Sequence, residues 1–292
     1  MILVTGATGT VGYQLVMRLA AAGYDVRAMV RNPERAAALR SFDVDLVLGD
    51  FAVPKTLDAA LKGVERAFLL PPSSLQQVRY ETNFIEAAQR AGLRHLVKLS
   101  VIAADIKSTG PITQWHGMAE RRIETAGISY TFLRPALYMQ DLLWLAADVR
   151  ESGTVHLPIE GMRVALVDAR DVAAVAATML TEPGHEGRTY TLTGPDVLAP
   201  PDIARHLSAA AGREIGVASV GCGDFKRVVM NRGVREAMAD AFVSIWRSAE
   251  DGRFAAVTND IERVLGRQAT PFARFACDYA HAFPARRAPA AS

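Results

Sequence analysis

The first twelve residues, Met1-Ile-Leu-Val-Thr-Gly6-Ala-Thr-Gly9-Thr-Val-Gly12, constrain the fold more than any other stretch. A four-residue apolar run feeds directly into glycines spaced three apart, the pattern of a buried strand, a tight turn and the opening of a helix. Gly6 suits a sharp turn, Gly9 lets the backbone approach a ligand, and Gly12 permits tight packing of helix on strand. Val11, Leu15 and Leu19 recur every four residues, so an amphipathic helix follows. The free amides and positive dipole end of that helix then face a phosphate.

Tyr24-Asp-Val-Arg-Ala-Met-Val30 reads as a second strand, ending at Arg31-Asn32-Pro33. In a dinucleotide-binding βαβ unit this point meets the adenosine ribose, where an NAD site usually offers a carboxylate. Arg31 stands there instead, and a guanidinium suits a 2′-phosphate, so NADP(H) is expected in preference to NAD(H). Asp45 to Phe51 reads as a third strand and turn, with Asp50 and Phe51 bordering an adenine ring. Arg66 to Leu70, stopped by Pro71-Pro72, is the fourth strand, and His95 to Ser100 the fifth. Ser129 to Pro135 is the sixth. A helix is expected over 74–92. Strands alternating with helices imply a parallel sheet covered on both faces.

These segments resemble the NmrA-like branch of the atypical short-chain dehydrogenase/reductase superfamily. The resemblance is carried by Val4 to Gly12, Gly49-Asp50, Leu99-Ser100, the stretch from His116 to Gly127, and Thr131-Phe-Leu-Arg134-Pro135. Val167-Asp168-Ala-Arg-Asp171-Val-Ala, Phe272 to Phe275 and Asp278-Tyr279 extend it over nearly the whole chain. It implies a Rossmann-type doubly wound α/β sheet with a smaller α+β substrate or lid region. It implies Gly6, Gly9, Gly12 and Arg31 on the cofactor phosphates, Asp50 near adenine and Ser100 near the nicotinamide. Thr8, Thr10, Val11, Phe51, Leu70, Pro71 and Pro135 complete the expected cofactor set. Such families include NADPH-dependent quinone oxidoreductases, isoflavone-type and ergoline-pathway reductases, and regulators that bind the cofactor without turnover.

One departure matters. The superfamily's Tyr-x-x-x-Lys pair is absent from the corresponding helix, which reads Gln114-Trp-His116-Gly-Met-Ala-Glu120-Arg-Arg-Ile-Glu124. His116 and Glu120 share one helix face a turn apart, so Glu120 is expected to orient the imidazole and favour its charged form, with Ser100 nearby. Losing the pair need not abolish turnover. Positioning donor against acceptor supplies about 7–11 kcal/mol, whereas a general acid adds about a hundred- to ten-thousandfold.

Beyond Pro135, Tyr138, Met139 and Trp144 form a candidate substrate wall, joined by Phe225 and Met230, although packing alone explains them as well. Short strands are expected at 154–157, 164–167 and 189–193. Helices are expected over 171–180 with Asp171 as N-cap, over 225–246, and over 260–283 after Gly252. The expected division is a nucleotide-binding domain at 1–150, a smaller region at 151–283 that partly shares the sheet, and a disordered tail at 284–292.

Composition narrows the function further. Lysine plus arginine number 33 against 31 acidic residues, so no broad basic face calls for nucleic acid or an anionic membrane. Two cysteines without a histidine cluster argue against a metal site or a disulfide framework. The nucleotide loop begins within five residues of Met1, leaving no room for a signal peptide, and no stretch reaches membrane-spanning length; a cytoplasmic location is expected. Arginine and alanine richness suggests a GC-rich bacterial genome.

The expected function is an NADPH-dependent reductase of a small, largely apolar acceptor (quinone, ketone, enone or iminium), acting as monomer or homodimer. The alternatives are an NADP(H) sensor without turnover and a non-redox cyclase, dehydratase or isomerase on the same scaffold.

Overall fold

The opening apolar run forms β1 (Ile2–Val4), buried throughout, and the glycine loop leads into α1 (Thr10–Ala21). In this computed structural model the described residues are 1–157, 163–231, 233–249 and 252–283; the expected tail at 284–292 lies outside them. The chain divides into two compact units. The first comprises Met1–Pro135, Ala169–Leu192 and Asp260–Arg267; the second comprises Ala136–Asp168, Thr193–Asn259 and the chain from Gln268 onward.

The first unit continues with β2 (Val26–Val30), β3 (Asp45–Leu48), α2 (Pro54–Leu61), β4 (Arg66–Leu69), α3 (Gln77–Arg90), β5 (His95–Leu99), α4 (Pro111–Glu124) and β6 (Ser129–Pro135). Among the described residues, seven strands pair in the order β3-β2-β1-β4-β5-β6-β8, every pair parallel, with β8 being Arg188–Leu192. Period-two alternation sends successive strand residues to opposite faces. On one face Leu3, Leu69, Leu96 and Phe132 meet Leu57, Phe84, Ile85 and Ile123 from α2, α3 and α4. α1 packs instead against α6 (Ala169–Thr181), whose small residues Ala173 and Ala176 are fully buried. Both faces of the parallel sheet are therefore covered, as its apolar strands require.

In the second unit, β7 (Thr154–Leu157) and β9 (Gly216–Ser219) form a parallel pair. A 3-10 turn at Met139–Leu145 runs into α5 (Ala146–Ser152), and α7 (Pro200–Ala211) starts with proline in its first turn. α8 (Cys222–Asn231) and α9 (Glu236–Ala249) bury Phe225, Val229, Ala239 and Val243 between them.

Several boundaries differ from expectation. The helix expected over 225–246 is broken between α8 and α9, where Gly233 takes a φ of +85°. The span 260–283 splits into α10 (Asp260–Leu265), which belongs to the first unit, and α11 (Phe272–Asp278), with Gly266 at +66° between them. Asp171 does not cap α6. It sits inside the first turn, and its carboxylate meets Arg267 at 2.7 Å. The strand expected at 164–167 is reduced to isolated bridges, Val164 to Leu198 and Val167 to Tyr138, because among the described residues no strand runs alongside it.

Candidate active site

Thr5, the last residue of the opening apolar stretch, ties β1 to β4. Its hydroxyl donates to the Phe68 carbonyl at 2.9 Å and accepts the Leu70 N–H at 2.8 Å. The strand order reverses at this seam, and such a reversal opens a crevice at the carboxyl ends of the strands. The first unit has a cleft of about 260 Å³ there. Gly6, Thr8 and Gly9 line it from the first loop, with Met29 and Arg31 at the end of β2, Gly49 and Phe51 beyond β3, and Leu70 and Pro71 beyond β4.

The glycines are sterically required. Gly6 adopts a φ of +62°, and a Cβ on it would lie 2.8 Å from the Leu70 carbonyl oxygen. A Cβ on Gly12 would come within 2.1 Å of the Gly6 carbonyl oxygen, so the first turn of α1 rests directly on the loop. Gly9 precedes α1 without a side-chain cap, and no acidic side chain occupies the first turn, which leaves the opening amides and the exposed Thr8 and Thr10 facing outward. Val11 and Gly12 are buried under the loop and do not line the cleft.

Arg31 lies exposed on the rim, and no carboxylate among the described residues pairs with it. Phe51 is buried against Tyr80, the rings stacked at 6.3 Å. Asp50 sits beside the cleft rather than on its lining; one of its carboxylate oxygens accepts the Ala52 N–H at 2.8 Å, so that part of its capacity serves the local turn.

β5 ends in Ser100, whose N–H donates to the Leu133 carbonyl at 2.7 Å, while the Ile102 N–H donates to the Pro135 carbonyl at 2.9 Å. The Ser100 hydroxyl is buried without any hydrogen-bond partner. Buried hydroxyls are ordinarily satisfied, whereas this one keeps its bonding capacity unused among the described residues. Ala103, three residues on, is the non-glycine residue that takes a positive φ among those described.

Next to Ser100 lies a polar cluster that the sequence analysis did not foresee. Lys98 on β5 and Glu81 on α3 are completely buried and pair at 2.6 Å. Lys98 Nζ also donates to the Leu99 carbonyl at 3.0 Å and to His116 Nδ1 at 2.9 Å. α4 is held in place by Gly117, where a Cβ would collide with the Asp105–Ile106 backbone. With Nδ1 accepting, the ring proton sits on Nε2, which faces the Gln77 amide at 3.1 Å; turning the amide oxygen toward the ring satisfies both groups. Burial first, and then the Lys98 charge, hold His116 well below the usual histidine range. Burial pushes Glu81 up, with Lys98 opposing.

This corrects the expectation for Glu120. Its carboxylate does not reach the imidazole; both oxygens bind the Arg134 guanidinium, at 3.0 Å to Nε and 2.5 Å to Nη2. His116 is therefore a neutral ring set by a lysine and an amide, not a charged one set by a carboxylate. A lysine inside the apolar run of a parallel strand was the available sequence signal, since such strands read as continuously hydrophobic.

The second unit has its own cavity, of about 110 Å³, between the 3-10 turn, β7, α8 and α9. Trp144, Phe225 and Trp246 line it, together with Asp141, which the sequence analysis did not assign to a pocket. Met139 is buried, Met230 is 37% exposed, and neither they nor Tyr138 contribute to the lining. Among the described residues no group of three metal-binding side chains assembles, and no helix is long and apolar enough to cross a membrane.

Comparison with known proteins matches this architecture. Residues 1–276 fit the model of the NmrA-like family. An NAD(P)H azoreductase of Xenophilus azovorans is 38% identical over 98% of this chain and all of its own. A (4-alkanoyl-5-oxo-2,5-dihydrofuran-3-yl)methyl phosphate reductase of Streptomyces griseus is 36% identical over 97% of this chain and 99% of its own. The crystal structure of Citrobacter sp. triphenylmethane reductase complexed with NADP(H) superposes with a TM-score of 0.83 at 29% identity, covering 96% of this chain and all of that one. The chain belongs to the NmrA-like family of atypical short-chain dehydrogenases/reductases, alongside NAD(P)H-dependent oxidoreductases.

Proposed function

We propose that the protein is an NADPH-dependent reductase that delivers hydride to a small, largely apolar acceptor such as a quinone, ketone, enone or iminium. The observation that carries this reading is the glycine-lined cleft at the sheet reversal with an unpaired arginine on its rim. Family membership and the reductase relatives support it.

The residues fit a dinucleotide. Gly6, Gly9 and the amides of Thr10, Val11 and Gly12 suit a pyrophosphate, with Thr8 and Thr10 hydroxyls at hand. Arg31 suits the 2′-phosphate; Asp50 and Phe51 suit the adenosine end, and Leu70, Pro71 and Pro135 bound its path along the sheet edge. The orphaned Ser100 hydroxyl suits the carboxamide or the acceptor oxygen. When bound, the reduced nicotinamide supplies the hydride.

The chain's own residues supply hydrogen bonds and protons. His116 stays neutral between Lys98 Nζ at Nδ1 and the Gln77 amide at Nε2 and acts as a positioning residue, so the proton comes from the Ser100 hydroxyl or from water. Glu120 acts at one remove, clamping α4 to β6 through Arg134. Trp144 and Phe225, with Tyr138, Met139 and Met230 near them in sequence, belong to the region that selects the acceptor.

Titration with NADPH and NADH, followed by NADPH oxidation against a panel of quinones, ketones and imines, tests the reading. Arg31→Ala is expected to weaken NADPH about ten- to a hundredfold, the worth of a charge-assisted pair, and to leave NADH unchanged. Equal losses for both nucleotides, or no binding at millimolar concentration, refute it.

A further inference from the structure

The cavity of the second unit has a chemistry of its own. Its walls are apolar and aromatic: Trp144, Phe225, Phe242 and Trp246 contribute rings, together with Leu157, and among the described residues Asp141 is the one charged group on the lining. Phe225 and Trp246 meet edge to face, at 5.8 Å and 70°. Trp144, 57% exposed, adds a ring that reaches solvent.

We propose that this cavity binds an aromatic organic cation, held by the Asp141 carboxylate against the rings of Trp144, Phe225 and Trp246. Among the described residues no basic side chain lines the cavity and no cation pairs with Asp141, whose hydrogen bonding is to the backbone of Tyr138. Burial pushes the Asp141 carboxyl up to about 6. At neutral pH it is thus held ionised against desolvation, and a positive ligand relieves that penalty where a neutral one leaves it and a negative one adds to it. The electron-rich ring faces favour the same charge. The volume, about 110 Å³ with an open mouth, suits a single ring, given that a closed apolar cavity of about 150 Å³ accepts benzene. The inference rests on the proposed reductase reading only in taking the bound cation for the acceptor; binding itself needs no nucleotide.

The test is calorimetric titration of the full chain, without nucleotide, using three probes of one shape and different charge: phenyltrimethylammonium, tert-butylbenzene and benzenesulfonate. Wild type is expected to bind the cation at least tenfold more tightly than the hydrocarbon, and the sulfonate weakest. Asp141→Asn is expected to bring cation and hydrocarbon within about threefold of each other. Phe225→Leu, which keeps the carboxylate, is expected to weaken both. Thermal unfolding of each variant verifies folding, and Phe225→Leu keeps the test decisive if Asp141→Asn does not fold.

Three outcomes overturn the proposal: no preference for the cation in wild type, a preference that survives Asp141→Asn, or indifference of all three probes to Phe225→Leu. Loss of NADPH binding in a separate titration would sink the reductase reading and leave this one standing.

Discussion

Removing either member of the Lys98–Glu81 pair tests whether the buried cluster is a single energetic unit. Both side chains are completely buried at 2.6 Å, and Lys98 makes two further hydrogen bonds, to the Leu99 carbonyl and His116 Nδ1. Lys98→Met strands a carboxyl that burial already pushes upward and that loses its chief opposing charge. Glu81→Gln strands an ammonium. Breaking a buried pair from one side costs about 3–5 kcal/mol, a large share of a total stability of about 5–15 kcal/mol. The double variant Lys98→Met/Glu81→Leu leaves no buried charge, and its remaining loss is the hydrogen bonds at the Leu99 carbonyl and His116 Nδ1, about 1–3 kcal/mol for each group left unpaired. Urea unfolding at pH 7 of wild type, both single variants and the double variant should therefore show a coupling of about 3 kcal/mol or more. The Lys98→Met deficit should also grow with pH, because a carboxyl raised in the fold stabilises when protonated and loses that contribution on ionisation. Single losses that add to the double within about 0.5 kcal/mol would mean that the groups act independently, and the reasoning would fail.

Gly12→Ala should abolish nucleotide binding in a direct titration, since its Cβ meets the Gly6 carbonyl oxygen at 2.1 Å and the loop must move, at about 1–3 kcal/mol or more in stability. Ser100→Ala removes a hydroxyl that has no partner in the fold; unfolding titrations should show unchanged or higher stability while turnover falls. A loss of more than about 1 kcal/mol would show that the hydroxyl is satisfied by the protein itself. Asp141 has a folded pKa of about 6 against a reference value of 3.8. Below about pH 4, wild type and Asp141→Asn should melt together, and as pH rises through 6 the wild type should fall behind by up to about 3 kcal/mol, read as a lower melting temperature. Identical melting curves at pH 8 would contradict this.

The nucleotide half of the molecule was legible because its signals are local. The glycine spacing from Gly6 to Gly12 specifies a turn within seven residues, and Ser129 to Pro135 forms a strand over the residues expected of it. The polar cluster was not legible in the same way. Lys98, Glu81 and His116 come from β5, α3 and α4, and only the sheet and its helices bring Glu81 and His116 each within 3 Å of Lys98. Glu120 illustrates the converse error: i to i+4 spacing made His116 its natural partner, but Arg134, on the strand beneath, outbid the neutral ring with a two-pronged grip. The apolar run at 164–167 resembles a strand in isolation, yet a strand needs a ladder alongside, and Val164 and Val167 find single bridges to different partners. In the second unit Asp141 carries no signature in sequence, since its setting is assembled from α8 and α9 some eighty residues later.

The chain passes between its two units five times, at 135/136, 168/169, 192/193, 259/260 and 267/268. Neither unit can be excised as one uninterrupted fragment. A ribosome that has emitted the first 135 residues has released a sheet whose β6 edge still waits for β8, more than fifty residues away. Nascent chains of this protein must therefore shelter an open sheet edge until the polypeptide doubles back. Truncations ending before residue 192 should aggregate rather than yield an isolated nucleotide-binding half.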